Sequence, residues 1–128
     1  MNAPDISPDV RATWRVPSFN APLWLGRERP WCVVIPVINE GKRIQSLLSR
    51  MAALEIRALA DIIIVDGGSQ DGSLELGSLQ QLGVRALLVK TGPGKLSAQL
   101  RCAYAFALDQ GYQGIVTIDG NDKDDPEA

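Results

Sequence analysis

WCVVIPV, residues 31–37, is an unbroken apolar run rich in β-branched side chains, the composition of a strand buried on both faces rather than on one. Pro36, near its end, lacks a ladder donor and marks where pairing stops. Downstream, Ile44, Leu47, Leu48, Met51 and Leu54 recur at helical spacing from Glu40 onward, which predicts an amphipathic helix. DIIIVD, residues 61–66, repeats the buried-strand composition. The loop GGSQDG then leads into a short helix near Ser73 to Gln81, with Asp71 or Ser73 as its cap and Gly83 as its stop. VRALLVK, residues 84–90, reads as a third strand, followed by the loop TGPG and a helix carrying Leu96, Leu100, Ala103, Tyr104, Ala107 and Leu108 on one face. GIVTID, residues 114–119, reads as a fourth strand. Apolar strands alternating with helices predict an α/β fold, a parallel sheet with helices on both faces and right-handed crossovers. Ligands on such sheets bind beyond the carboxyl ends of the strands, which gathers residues 36–41, 66–72, 91–95 and 119 onward around one cleft.

Upstream of this core, residues 1–30 contain five prolines and the tryptophans Trp14 and Trp24 without steady periodicity, so they read as an irregular N-terminal extension. The tryptophans would pack onto the domain or onto a partner segment, the former being the commoner fate of an aromatic.

Composition narrows the chemistry. At 128 residues the chain suits one core, and a net charge of -2 argues against a surface that neutralises many nucleic-acid phosphates. No histidine is present, which removes Ser/His and Cys/His nucleophile pairs, His-ligated zinc and the commonest general base. Acid, base or metal chemistry must then rest on carboxylates. Cys32 and Cys102 lack the spacing of a metal knuckle or redox pair and read as reduced, structural thiols. No apolar run approaches the ~20 residues that span a bilayer and no signal-like N-terminus is present, so a cytoplasmic protein is expected.

Two loops carry the acidic side chains. DGNDKDDPE, residues 119–127, places five carboxylates within nine residues directly after a strand, a set of oxygen ligands suited to a hard divalent cation. By composition alone it is also a solvated acidic turn; its place at a strand's carboxyl end favours the cleft. Lys123 and Asp124 stand where a calcium loop needs an oxygen ligand and glycine, and Val89 and Leu96 stand where a P-loop built on Gly94-Lys95 needs glycine and Ser or Thr. Both motifs are excluded. The other loop, DGGSQDGS at 66–73, has three glycines that let the backbone approach a ligand, with Asp66 offering an acceptor. Asp, Gly and Ser are also what an ordinary turn uses.

The blocks VVIPVINE (33–40), IIIVDGGSQDGS (62–73), GKLSAQLRCAYAFAL (94–108) and VTIDGNDKDDPEA (116–128) resemble, in order and spacing, the family-2 glycosyltransferases of the GT-A (Rossmann-like) fold, above all their polyprenyl-phosphate (dolichyl-phosphate mannose synthase-like) branch. The resemblance implies that residues 31–128 form the nucleotide-sugar-binding part of such an enzyme. Pro36, Val37, Asn39, Glu40, Asp66 and Gly68 would line the base and ribose of the donor. Lys95 and Arg101 would face its diphosphate, and Asp119 and Gly120 would complete the donor site. Asp119 and Asn121 fall on the family's Asp-x-Asp element and would hold a divalent cation, Mg or Mn, that neutralises the departing nucleotide diphosphate. Asn121 replaces a carboxylate there and Lys123 falls where the polyprenyl-phosphate branch often has a further oxygen ligand, which leaves open a weakened metal site, a different ligand such as Asp122 or Asp124, or a mechanism that relies little on metal. Family members continue with an acceptor-binding half, so the chain is expected to be a donor-binding portion ending after the fourth strand, with no catalytic base to assign.

The implied activity is transfer of a sugar, with inversion, from a nucleotide-diphosphate sugar to an acceptor for which a polyprenyl phosphate is a candidate. That acceptor would set the protein at the cytoplasmic face of a membrane, with no transmembrane segment of its own among these residues and no nucleic-acid partner. The competing reading, motivated by Asn121 and Lys123, is a degenerate nucleotide-binding or scaffolding module without catalysis. A phosphoacceptor receiver domain is disfavoured, because the third strand ends in Lys90-Thr91 where that domain needs its aspartate.

Overall fold

The computed structural model describes residues 16–39, 42–69 and 74–118. They form a five-stranded sheet: β1 (Phe19–Trp24), β2 (Trp31–Val37), β3 (Asp61–Asp66), β4 (Val84–Lys90) and β5 (Gly114–Thr117), in the order β1-β4-β3-β2-β5. The four strands expected from sequence are the parallel ones. Helices α1 (Lys42–Ala53), α2 (Leu76–Gln81) and α3 (Leu96–Asp109), with a single 3-10 turn at Ile56–Ala58, link them.

The chain runs outward from β2 to β3 and β4, then returns to the other side of β2 as β5. Right-handed crossovers taken in opposite directions deposit their helices on opposite faces. Accordingly Ile44, Leu47, Leu48 and Met51 of α1 and Leu79 of α2 pack on one face, against Val33, Ile35, Val37, Ile62 and Ile64. Cys102, Ala103, Ala105 and Phe106 of α3 pack on the other, against Cys32, Val34, Ile63 and Val65. Each central strand thus buries both sets of its alternating side chains, and all six residues of β3 are buried.

Three expectations need correction. The reading of residues 1–30 as irregular fails for Phe19–Trp24, which pair antiparallel to β4 as an edge strand. Pro22 sits in that edge, where a missing N–H is tolerated, and a register irregularity lies between Asn20 and Leu23. The strand is held by its aromatics. The Trp24 and Phe19 rings meet Phe106 edge to face, at centroid distances of 4.9 and 6.5 Å. Trp24 therefore packs onto the domain, while Trp14 lies outside the described residues.

Helix α2 begins at Leu76 with Glu75 at its N-cap position, later than Ser73; the expected caps Asp71 and Ser73 are outside the described residues. Gly83 does stop it, in the left-handed region at φ 89°. The face of α3 is as expected at Ala103 and Ala107, which are buried, but differs elsewhere. Leu96 and Leu108 are about half exposed, and the buried row runs through Ala98, Gln99, Cys102 and Phe106. β5 is a partly exposed outer strand.

Candidate functional site

The chain leaves β2 into α1 on one face of the sheet and enters β5 from α3 on the other, so the strand order reverses between β2 and β5, the place where such sheets open a gap beyond the carboxyl ends. A cleft of about 530 Å³ lies there, lined by Pro36, Val37 and Ile38 at the end of β2, Gly67 after β3, Gly94 to Leu96 and Leu100 at the start of α3, and Gln99 and Thr117. Its walls are mostly apolar. Of the residues assigned to a site from sequence, Pro36, Val37 and Lys95 line it directly.

Asp66, at the end of β3, is buried, and its carboxylate organises the loop that follows. Oδ1 accepts from the Ser69 hydroxyl (2.6 Å), the Ser69 N–H (2.9 Å) and the Gly68 N–H (3.2 Å), and Oδ2 accepts from the Ser69 N–H at 3.1 Å. The Ser69 hydroxyl in turn accepts from the Asn39 N–H at 2.8 Å, tying this loop to the one after β2. Asn39 holds a left-handed backbone, φ 46°, which asparagine tolerates better than most residues. Asn39, Asp66 and Gly68 thus form one hydrogen-bonded unit beside the cleft.

The residue that joins the cleft's walls escaped the sequence reading. Gln99, on α3, is 4% exposed, and its Nε2 donates to the carbonyls of Val37 (2.9 Å) and Val65 (3.1 Å), at the ends of β2 and β3. Gly67 lies against it: a Cβ there would stand 3.0 Å from Gln99 Cδ and Oε1. Only glycine lets the β3 loop close onto the amide, and the Gly67 N–H completes the junction by donating to Val37 O at 2.9 Å. No pattern of hydropathy singles out Gln99. The adjoining Gly67 was the one sequence signal of a close approach.

The remaining assigned residues are dispersed. Lys95 is exposed at the N-cap position of α3. Arg101, more than a turn further on, does not line the cleft; its Nη1 donates to the Ser97 hydroxyl at 2.7 Å. Glu40, Asp119, Gly120 and Asn121 lie outside the described residues, and with them the expected metal pair. Among the described residues no group of three or more Cys, Asp or Glu is placed to hold a metal ion. The loop bearing Lys95 is anchored from an unexpected quarter: Thr91 and Gly92 N–H both donate to Ser18 O, at 2.8 and 3.0 Å, just before β1. The Lys90 ammonium donates to Gly92 O at 2.7 Å.

The cleft at the reversal point thus has a glycine-rich acidic loop on one side and the Lys95 cation on the other. Residues 32–127 match the model of glycosyl transferase family 2. The chain belongs to that family. Searches of curated proteins and of solved structures gave no match. Membership in family 2 identifies the sheet as a GT-A, Rossmann-like one and the protein as a glycosyltransferase of the general kind, a class whose donors are nucleotide sugars. Among the described residues no helix is long and apolar enough to cross a membrane.

The opposite end of this family-2 sheet holds a second polar cluster. Asp61, at the start of β3, is 2% exposed, and its Oδ2 accepts from Tyr112 Oη (2.6 Å), Glu28 N–H (2.8 Å) and Arg29 N–H (3.2 Å). Arg85 donates from Nε and Nη2 to Gly26 O and also to Leu25 O, and pairs with Glu28. These bonds pin the β1–β2 connection to β3 and β4. Burial, and then the charge of Asp61, push the Cys32 thiol up to about 12, consistent with a structural role. Burial likewise raises Tyr112, reinforced by its hydrogen bond to Asp61.

Proposed function

We propose that the chain is the donor-binding part of an inverting glycosyltransferase that takes a nucleotide-diphosphate sugar, with a polyprenyl phosphate as its acceptor at the cytoplasmic face of a membrane. The observation that carries this reading is the cleft at the β2–β5 reversal in a family-2 chain: apolar walls suited to the faces of a nucleobase, with Lys95 at the rim as a partner for phosphate. In this reading Pro36, Val37, Asn39, Glu40, Asp66 and Gly68 surround the base and ribose. Lys95 and Arg101 attract the diphosphate, and Asp119 and Gly120 flank it. Asp119 and Asn121 hold a magnesium or manganese ion that stabilises the leaving nucleotide diphosphate. A phosphate acceptor is already an anion, so attack needs little help from a base.

The test is calorimetry with uridine- and guanosine-diphosphate sugars, with and without manganese, on the wild type and Asp119→Ala. Binding that needs manganese and falls at least about tenfold in the variant, a loss near 1.4 kcal/mol, is the expected result. Metal-independent binding unaffected by Asp119→Ala would instead favour a nucleotide-binding module without transfer chemistry. Failure of every donor to bind would sink both.

A further inference from the structure

Gln99 does more than join two strand ends. Its amide nitrogen donates to the carbonyls of Val37 and Val65, and those two bonds fix which way the amide is turned. A flipped amide would set its oxygen against two carbonyl oxygens and lose both bonds. The carbonyl oxygen Oε1 is therefore a fixed acceptor. Among the described residues no hydrogen bond reaches it, yet the side chain is almost wholly buried and lines the cleft. An acceptor whose direction is fixed at the wall of a cleft is offered to a ligand there without rearrangement, which lowers the ordering cost of the contact.

The surroundings restrict that ligand group. Pro36, Ile38, Leu96 and Leu100 line the same cleft, and apolar walls suit the faces of a heteroaromatic ring better than a polyhydroxylated sugar or a diphosphate. We infer that Gln99 is a specificity-determining residue, its side-chain carbonyl accepting a hydrogen bond from the ring N–H of the donor's nucleobase. Such an acceptor favours uracil (N3–H) and guanine (N1–H) over adenine and cytosine, whose corresponding ring nitrogens are themselves acceptors and would face Oε1 lone pair to lone pair. This rests on the nucleotide-sugar reading of the cleft and assigns the part of the donor that Gln99 reads.

The contact is tested by a cycle between ligand and protein. Affinities of uridine diphosphate and 3-methyluridine diphosphate, and of guanosine diphosphate and 1-methylguanosine diphosphate, are measured on wild type, Gln99→Met and Gln99→Glu, with urea unfolding run on each. N-methylation is expected to weaken binding at least about tenfold in wild type but less than about twofold in Gln99→Met, which has no acceptor there. Gln99→Glu keeps an acceptor but loses the paired bonds that aim it, so its methyl effect is expected to fall between those of wild type and Gln99→Met. Because the readout is a coupling between ligand and residue, general loosening of the fold by the substitutions does not mimic it. If Gln99→Met does not fold, wild type and Gln99→Glu carry the comparison, and binding that ignores the methyl group in both overturns the inference. Equal methyl effects in wild type and Gln99→Met show a purely structural residue and also overturn it, leaving the donor reading intact. If neither parent nucleotide binds wild type, the donor reading falls and this inference with it.

Discussion

Replacing Asp61 with alanine should be among the most damaging single changes available in this chain. One carboxylate oxygen accepts from two backbone N–H groups, of Glu28 and Arg29, and from the Tyr112 hydroxyl, all within 3.2 Å. These are contacts across 32 to 51 residues of sequence, linking the β1–β2 connection, β3 and the turn before β5. A hydrogen bond to a charged group contributes about 1.5–3 kcal/mol, and its loss leaves a buried donor unpaired. The three share one acceptor and do not add fully, so Asp61→Ala should cost about 3–5 kcal/mol. Against a stability of roughly 5–15 kcal/mol that is a large fraction. In urea, with a slope of about 1–3 kcal/mol per molar, the midpoint should fall by about 2 M. Tyr112→Phe, which removes one donor and leaves the carboxylate its other two, should cost about 1–2 kcal/mol. In the double variant the costs should fall short of their sum. The competing outcome is that water enters from the adjoining cavity of about 540 Å³, which Asp61 lines, and satisfies the abandoned donors. A cost below about 1 kcal/mol for Asp61→Ala would refute the reasoning.

Two further outcomes are expected. Gly67→Ala sets a methyl 3.0 Å from the Gln99 amide, which must shift away from the Val37 and Val65 carbonyls; the cost should be roughly 1–3 kcal/mol in urea unfolding, with weaker nucleotide binding, and an unchanged midpoint would mean the junction is looser than described. For Cys32, burial and the charge of Asp61 raise the thiol from its ordinary 9.0 to about 12. Above pH 9 the unfolded chain therefore releases a proton that the folded one keeps, and stability should fall by about 1 kcal/mol between pH 9 and 10. Cys32→Ala should lack that share of the decline; an identical slope in wild type and variant would assign the loss to other groups.

The parallel core was legible because its strands are buried on both faces, so WCVVIPV and DIIIVD have no polar positions inside them to confuse with a surface strand. β1 was not. Phe19, Ala21 and Leu23 alternate as a half-buried strand should, but Pro17 and Pro22 and the irregular register obscure the signal, and what holds the strand is Phe106, nearly ninety residues away. In α3, Leu96, Leu100, Ala103, Tyr104, Ala107 and Leu108 look like a buried stripe, yet the sheet takes from it the alanines and adds the smaller row of Ala98, Cys102 and Ala105, leaving Leu96 and Leu108 half exposed. Close approach of a helix to a sheet selects for size as well as hydropathy, and period alone cannot separate two adjacent rows. That Pro36, Val37 and Lys95 border the cleft was legible from their place near strand ends. Gln99 was not, because its partners are backbone carbonyls, which every sequence contains.

The two aspartates that bound DIIIVD show why a buried carboxylate is not by itself a functional signal. Asp61 and Asp66 are both buried and both accept several hydrogen bonds, but the bonds of Asp61 are long-range whereas, among the described residues, those of Asp66 come from Gly68 and Ser69. Loss of Asp61 unfastens separate parts of the chain; loss of Asp66 falls mainly on the shape of one loop. That difference separates stability from site geometry. The Asp66 loop is shaped before any ligand arrives, since Ser69 carries the carboxylate's hold onward to the Asn39 N–H on the neighbouring loop. Oδ2 meanwhile engages one donor among the described residues, at 3.1 Å, which leaves the carboxylate acceptor capacity toward them. A carboxylate that organises its loop and keeps a lone pair in hand is suited to binding a ligand hydroxyl or N–H without rearrangement, which lowers the ordering cost of binding. Asp66→Asn should on this argument weaken nucleotide binding while moving the urea midpoint much less than Asp61→Ala does. Equal shifts in the two midpoints would show that both aspartates serve the fold alone.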